Sequence, residues 1–396
     1  MSAHVRGGVG GRVAYYRSVM RPKMSQQDLA NAAHLSLGTI CKIEQGERGV
    51  GDSALETIAD ALGVDPFLLL FGRNAPRTAV HAALPTLSAT LAMQEIPEDG
   101  PVRPLPELRT DVEATVDWRL TAHYTRIARR LPDLLAELAR ARHRFSGPDR
   151  AALAALLVTA YRSADAAAFE AGAWDLSARL VDLMRHVVPD ADDPLLTASV
   201  AYVRTETFFA ASAHAADLRA LEQALDAAPA PTTADRSAAR GALHMRAAVI
   251  AGRAFDLAAT QMHLAEARAL ADQLPEAVYH GTAFGPDSVR VHEVSVAVSL
   301  GHDHVGKALE VARKGKPPTS LPAERRSGFY IDLARAHLWS GQAAGHAFEA
   351  LKVARHIAPQ HTREHPWVRE DAGTLRRLER ADSEALTSFA EWCSAV

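Results

Sequence analysis

Two histidine runs have spacings that could hold a metal: His302-Asp303-His304, and His361 with His365 four residues on, one helical turn apart. A zinc site needs three or four convergent ligands, and neither run supplies a third locally, so hydrogen-bonded or solvated imidazoles are the simpler reading and no metal is expected. The segment RGGVGG, residues 6–11, has the glycine content of a phosphate-binding loop. No strand leads into it and no Lys-Ser/Thr follows, so it reads as a flexible N-terminal arm. Serine, histidine and aspartate are scattered without a nucleophile elbow or a paired-carboxylate spacing, and neither enzymatic activity nor a cofactor is expected. Cys41 and Cys393 are too few for a disulfide framework, which fits a reducing compartment. Cys41, with only Lys42 beside it, reads as a small half-buried residue rather than a redox sensor.

A different chemistry is carried by MSQQDLANAAHLSLGTICKIEQGER, residues 24–48. Ser25 with Asp28 makes a capping box ahead of one short helix, and Ser36 is placed to cap a second. Leu29 and Ala33 share a face of the first helix, as do Ile40 and Ile43 of the second. The pair can bury one seam and leave Leu37, Gly38, Cys41 and Lys42 outward. That pattern predicts a helix-turn-helix whose second helix reads double-stranded DNA. The charge distribution agrees: residues 1–50 hold seven Arg or Lys against three acids, net +4, in a chain of net charge -3. A basic module on an acidic body is the pattern of local nucleic-acid contact.

Residues 9–72 resemble the Cro/C1-type (Xre-like) helix-turn-helix family, whose five helices correspond to GRVAYYRSVM, QQDLANAA, LGTICKIEQ, SALETIADALG and DPFLLLFG. The resemblance implies that Gln26, with Gln27 beside it, meets phosphate or an adjacent base edge. It places Leu37, Gly38 and Lys42 against bases and Ser36, Thr39 and Arg48 along the backbone. Leu37 offers only apolar contact, best to a thymine methyl, and Lys42 can reach a guanine edge or a phosphate. Gly38 has no side chain to read with. The family usually has Gly in the turn where this chain has His34, a residue that accepts left-handed backbone geometry better than most.

The remainder of the 396 residues is rich in alanine and poor in aromatics (6%), which suits close-packed helices and predicts an all-α protein. Prolines cluster from Pro76 to Pro106, so residues 76–107 read as a linker, with a short helix between Thr86 and Gln94. Beyond it, small residues recur between amphipathic helices at Gly172, Ser212, Gly252, Gly301 and Gly341, about forty residues apart except for one longer interval after Gly252. The expected architecture is a head over residues 1–75 followed by an α-solenoid of stacked helical hairpins over 108–396. It resembles a degenerate tetratricopeptide-repeat array, with a period longer than that family's 34 residues. The loop 274–288, LPEAVYHGTAFGPDS, accounts for the long interval. No apolar run approaches a membrane span and no signal peptide is evident, so a cytoplasmic protein without membrane contact is expected.

These features predict a transcription regulator whose repeats dimerise and sense an effector, since one recognition helix makes too few base contacts for a useful site. The alternative is a repeat scaffold for a protein or peptide partner, localised on DNA by the head. Similar architectures include the peptide-sensing regulators of Gram-positive bacteria, which hold a peptide backbone with asparagines. This chain has two asparagines, Asn31 and Asn74, neither in the repeats. The first helices of the hairpins instead offer Arg162, Tyr202, Arg204, His244, Arg246, His292, Asp332 and Arg335, suited to an anionic or aromatic ligand at the concave face, a small molecule or a protein segment rather than a bare peptide backbone. Tyr279 and Phe284 of the 274–288 loop are placed to close over it.

Overall fold

A computed structural model describes residues 9–20, 23–46, 50, 52–64, 69, 78–341, 344–378 and 384–395. The chain divides into two compact units, Met1–Arg77 and Thr78–Ala395. Both are helical. In the first lie α1 (Val9–Val19), α2 (Gln26–Ala32), α3 (Leu37–Glu44) and α4 (Asp52–Leu62). The fifth helix expected over 65–72 lies outside the described residues except for Leu69, as do Arg6 and Arg48.

The local signals in the first unit act as the sequence predicts. Ser25 accepts from the Asp28 N–H while the Asp28 carboxylate accepts from the Ser25 N–H, and Ser36 accepts from the Thr39 N–H. His34 takes φ 55°, and the Leu35 N–H closes back on the Ala30 carbonyl at 2.8 Å, which ends α2 and turns the chain into α3. Leu29, Ala30, Ala33, Ile40 and Ile43 form the buried seam, completed by Val13, Leu55, Ile58 and Leu62. The expected arm is shorter than residues 6–11, because Val9, Gly10 and Gly11 begin α1. The reason is steric: a Cβ on Gly10 would lie 1.8 Å from the Ile43 carbonyl oxygen, so this glycine lets α1 pack backbone to backbone on α3.

The second unit contains α5 (Ala79–Ala92), α6 (Leu105–Leu120), α7 (Tyr124–Arg144), α8 (Gly147–Glu170), α9 (Trp174–Val187), α10 (Pro194–Ala210), α11 (His214–Ala227), α12 (Ala234–Arg253) and α13 (Leu257–Ala271). A hairpin of β1 (Ala277–Tyr279) and β2 (Thr282–Phe284) follows, then α14 (Pro286–Ser299), α15 (Val305–Arg313), α16 (Ala323–Trp339), α17 (Ala344–Ile357), α18 (Pro359–Glu364), α19 (Pro366–Leu378) and α20 (Glu384–Trp392). From α6 to α17 the helices pair as antiparallel hairpins, and the first helices α6, α8, α10, α12, α14 and α16 pack on one another in sequence. This is the expected α-solenoid.

Each of these six hairpins turns through one left-handed residue: Ala122, Gly172, Ser212, Phe255, Gly301 and Gly341. Four of the five turn positions read from the sequence are correct. Gly252 is not one of them; it lies inside α12, against Val296 of α14, and Phe255 makes the turn. Ala122 marks a sixth hairpin that carries no small-residue signal beyond alanine. After Ala122, Gly172, Ser212 and Phe255 the next N–H bonds to the carbonyl five residues back at 2.8–2.9 Å. That bond satisfies a helix-end carbonyl, and the resulting turn is stable enough for non-glycine residues to hold φ near 55°.

The expected linker is largely structured. Val80, Leu84, Leu87 and Leu91 recur at helical spacing and join α5 to the core of α6 and α7. The proline-rich stretch after it is fixed to α7: Arg103 binds Glu137, Arg144 donates to the Gly100 carbonyl at 2.9 Å and Arg140 to the Pro101 carbonyl at 3.2 Å. Proline count signalled extended backbone correctly but not its attachment. One helix, α8, is by length and composition apolar enough to cross a membrane, contrary to the reading of the sequence; two thirds of its apolar window is buried within this unit.

Between α12 and α13, the Nδ1 atoms of His244 and His263 lie 3.0 Å apart, both rings buried. Burial, then His263 and Arg240, push His244 down to about 4, and burial likewise lowers His263.

Two outcomes are expected. Gly10→Ala should loosen the first unit by about 1–3 kcal/mol through overpacking, seen as faster amide exchange in α2 and α3 of the full-length chain with exchange in α8 and α12 unchanged. For the histidine pair, the folded pKa lies below the unfolded value of about 6.5, so the unfolded chain takes up protons first and stability falls as pH drops from about 6.5 towards 4. Each such group contributes at most about 1.4 kcal/mol per pH unit. Replacing both by leucine should flatten the urea midpoint across that window relative to the parent chain; equal slopes would mean the pair is not neutral in the fold.

Candidate functional site

Helix α3, expected to read DNA, is held by a carboxylate at its own last turn. Glu44 accepts from Arg17 of α1 at 2.7 and 2.8 Å and from the Gln26 amide of α2 at 2.7 Å, so one side chain joins three helices. The Gln26 carbonyl in turn accepts from the Cys41 thiol at 3.4 Å. Hence Gln26, expected to face DNA, is half-buried with both ends of its amide engaged, and Cys41 is half-buried rather than outward. Gln27 is exposed and donates to Asn31 at 2.9 Å. Leu37, 40% exposed, Gly38 and Lys42 stand on the open face of α3, with exposed Ser36 at its start. Thr39 is half-buried, its hydroxyl 2.8 Å from that of Ser36.

In the second unit, charged side chains of the first helices converge on a cavity of about 130 Å³. Its walls are Arg119 of α6, Arg162, Asp165 and Glu170 of α8, Tyr202 and Glu206 of α10, Arg246 of α12, and Glu324 and Arg325 of α16. The Tyr202 ring has Arg246 over it at 4.4 Å and Arg162 at 6.0 Å, and its hydroxyl accepts from Arg325. Burial alone would push the Tyr202 pKa up; Arg246, Arg325 and Arg162 outweigh it, and the pKa falls below its ordinary value. Arg246 pairs with Glu206 at 3.2 Å, and Ser177 donates to Asp165 at 2.6 Å. Asp165 is 1% exposed and has Glu206 as a charged neighbour in the same cavity. Burial first, and then the Glu206 charge, hold Asp165 well above the usual carboxylate range.

The β-hairpin forms one wall. Tyr279 pairs with Thr282 across a two-residue turn in which His280 and Gly281 both have positive φ (45° and 73°). Arg119 donates to the Gly281 carbonyl at 2.8 Å, and Arg162 to the His280 carbonyl at 2.9 Å and the Thr282 hydroxyl at 2.6 Å. A Cβ on Gly281 would meet the Arg119 guanidinium at 2.8 Å, so position 281 needs glycine for both its φ and this approach.

Of the ligand candidates, Arg162, Tyr202 and Arg246 line this cavity. His292 stands just behind it: its Nδ1 donates to the Ser288 carbonyl, so Nε2 accepts from Arg325 at 2.6 Å. The others do not converge. Arg204 lies two residues from both Tyr202 and Glu206, hence on another face of α10, where it covers Phe208 and lines a groove with Asp217. By the same spacing His244 points away from the face of Arg246, towards His263. Asp332 and Arg335 sit deeper along α16, where Arg335 binds Asp371 at 2.8 Å and stacks on Trp367 at 4.4 Å. Phe284 does not close over the cavity; it is fully buried against Gly241, and the hairpin presents Gly281, Thr282 and Ala283 instead. Tyr279 donates to the Pro275 carbonyl at 2.9 Å. Arg119, Asp165, Glu170, Glu206, Glu324 and Arg325 were not singled out from the sequence. The available signal was charge inside apolar helix, as in YRSADAAAFE, at spacings that share one face.

The histidine runs do not gather ligands. Among the described residues no group of three or more His, Cys, Asp or Glu is placed to hold a metal ion. His361 instead bonds the Ser327 hydroxyl at 2.7 Å.

Comparison with known proteins bears on the first unit. No curated protein sequence matches the chain. Among solved structures, PlcR of Bacillus thuringiensis, in complex with the peptide PapR7 and DNA, is 12% identical, covering 66% of this chain and 93% of its own, with a TM-score of 0.30. A mutant of PrgX is 10% identical, covering 85% of this chain and 96% of its own, with a TM-score of 0.27. The helix-turn-helix domain family matches residues 10–69, the stretch in which capped α2 and α3 bury Leu29, Ala33, Ile40 and Ile43, and the N-terminal unit is a helix-turn-helix domain.

Proposed function

We propose that the protein is a cytoplasmic, sequence-specific DNA-binding transcription regulator of the Cro/C1 (Xre-like) type, without enzymatic activity, whose tetratricopeptide-like repeats hold a homodimer and sense a small molecule. The observation that carries the reading is the face of α3: Leu37, Gly38 and Lys42 stand exposed on a doubly capped helix whose opposite side, Ile40 and Ile43, is buried. An α-helix so presented fits the major groove. Gln27, Ser36, Thr39 and Arg48 serve the phosphate backbone, and Gln26 positions α3 through Glu44 while keeping one amide hydrogen for a phosphate. The effector is a small molecule rather than a peptide because the convergent cavity has room for only a few heavy atoms.

Binding of the full-length chain to genomic fragments should weaken steeply with salt, and Lys42→Ala and Arg48→Ala should each weaken it further. If Lys42 reads a base, Lys42→Ala relaxes preference at one position by about 1–3 kcal/mol. A loss uniform across sequences, with the logarithmic salt slope reduced by about 0.9, assigns Lys42 to phosphate. No salt-sensitive binding to any fragment would end the regulator reading. The protected DNA should be an inverted repeat with half-sites about 34 Å apart. Sedimentation of the intact chain as a monomer at micromolar concentration would contradict the dimer.

A further inference from the structure

We infer that the cavity walled by Arg119, Arg162, Arg246 and Arg325 binds a compact anion, a phosphate or a small carboxylate, and that this anion is the effector; the second clause rests on the regulator reading above.

Charge balance is the first observation. Four arginines and four carboxyls line the cavity, and burial with the neighbouring Glu206 charge holds Asp165 well above the usual carboxylate range. Glu170 is also held well above the usual carboxylate range, by burial and then by Glu324, Glu206 and Glu364. Both shifts run towards the uncharged carboxyl, so the lining accommodates an added negative charge more readily than an added positive one. Burial first, and then Arg119, bring the Arg162 pKa down to about 9, whereas against its burial Tyr202 and Glu206 hold Arg246 above its ordinary value.

Orphaned donors are the second, independent observation. The Nε atoms of Arg119 and Arg246 are buried and have no hydrogen-bond acceptor, and Arg119 as a whole is only 9% exposed. A buried cationic N–H without an acceptor is costly, and two of them border this one cavity. Among the carboxyls, Glu206 has Arg246, Asp165 has Ser177, Glu324 accepts from Tyr124 at 3.4 Å, and Glu170 has His361 at 3.7 Å. What the cavity lacks is acceptors, which an oxyanion supplies.

Size and access set the class. An apolar cavity of about 150 Å³ accommodates benzene, so this space of about 130 Å³ suits inorganic phosphate or a three- to four-carbon carboxylate. Arg119 and Arg162 also bind the carbonyls of the His280–Gly281 turn, so an anion drawing on the same guanidiniums is coupled to the hairpin.

Calorimetric titration of the full-length protein at matched ionic strength, with inorganic phosphate in one arm and succinate in the other, distinguishes the two sources. Saturable binding of one of them is expected, with sodium chloride giving none. Arg246→Met should weaken it about tenfold or more, as loss of a charge-assisted hydrogen bond does. Ala166→Leu, which fills the cavity without touching a charge, should abolish it, and Arg204→Met, in the other groove of α10, should change it less than about twofold. Binding of neither anion, or binding that survives both Arg246→Met and Ala166→Leu in chains that retain the parent's helicity, overturns the site. The saturating anion should also shift operator affinity about fivefold or more, in the range of known allosteric couplings. Variant-sensitive anion binding with operator affinity unmoved overturns the effector role and leaves the anion site standing.

Discussion

A charge taken out of water must find partners, and the second unit is arranged around that requirement. Arg119, Arg162, Arg246 and Arg325 come from four different first helices, with Asp165, Glu170, Glu206 and Glu324 from three. Their mutual distances hold only when α6, α8, α10, α12 and α16 lie at one axial register. Apolar stripes rich in alanine specify register weakly, because one small side chain fits much like the next. Directional pairs such as Arg246 with Glu206 supply the specificity that the alanine core does not.

The turns work on the same problem locally. A left-handed residue after each first helix, followed at four of the six hairpins by a bond to the carbonyl five residues back, fixes where the second helix starts and hence which face of it is buried. Phe255 holds this geometry with its ring 73% exposed, so the turn is maintained by its hydrogen bonds and not by packing of its side chain. In the first unit the constraint is closer still, with Gly10 allowing the backbone of α1 to lie on the Ile43 carbonyl while Glu44, one residue on, ties Arg17 and Gln26. The exposed face of α3 is thus presented on a preformed support, which limits the reorganisation that docking requires. Leu37 and Gly38 offer no hydrogen-bonding side chain, so under the proposed regulator function readout would rest more on DNA shape.

The two units differ in how they use polar groups. Among the described residues of the head, the half-buried Glu44 carboxylate at the end of α3 is fully engaged by Arg17 and Gln26. Around the cavity, two guanidinium Nε atoms stay unpaired and burial holds Asp165 well above the usual carboxylate range. Partly satisfied polar clusters are high in energy and therefore responsive to whatever completes them.

What the sequence by itself determined is the part governed by short range. Capping residues, the seam of Leu29, Ala33, Ile40 and Ile43, the left-handed His34 and most hairpin turns were legible, because each depends on residues within one or two helical turns. The solenoid was legible too, since small residues recur at hairpin turns. Tertiary structure alone decided which charged residues meet. Arg204 and His244 were grouped with Tyr202 and Arg246 by position along the chain, yet a two-residue offset on a helix turns a side chain to another face. Phe284 was read as a lid because its loop is long, but the space left by Gly241, forty-three residues earlier in the chain, buries it in the core. The linker prolines were visible, whereas the arginines of α7 that fix them were not. The physical reason is common to all: a cap or a turn is settled by neighbours in sequence, while a buried charge is settled by whichever helix stacks against it.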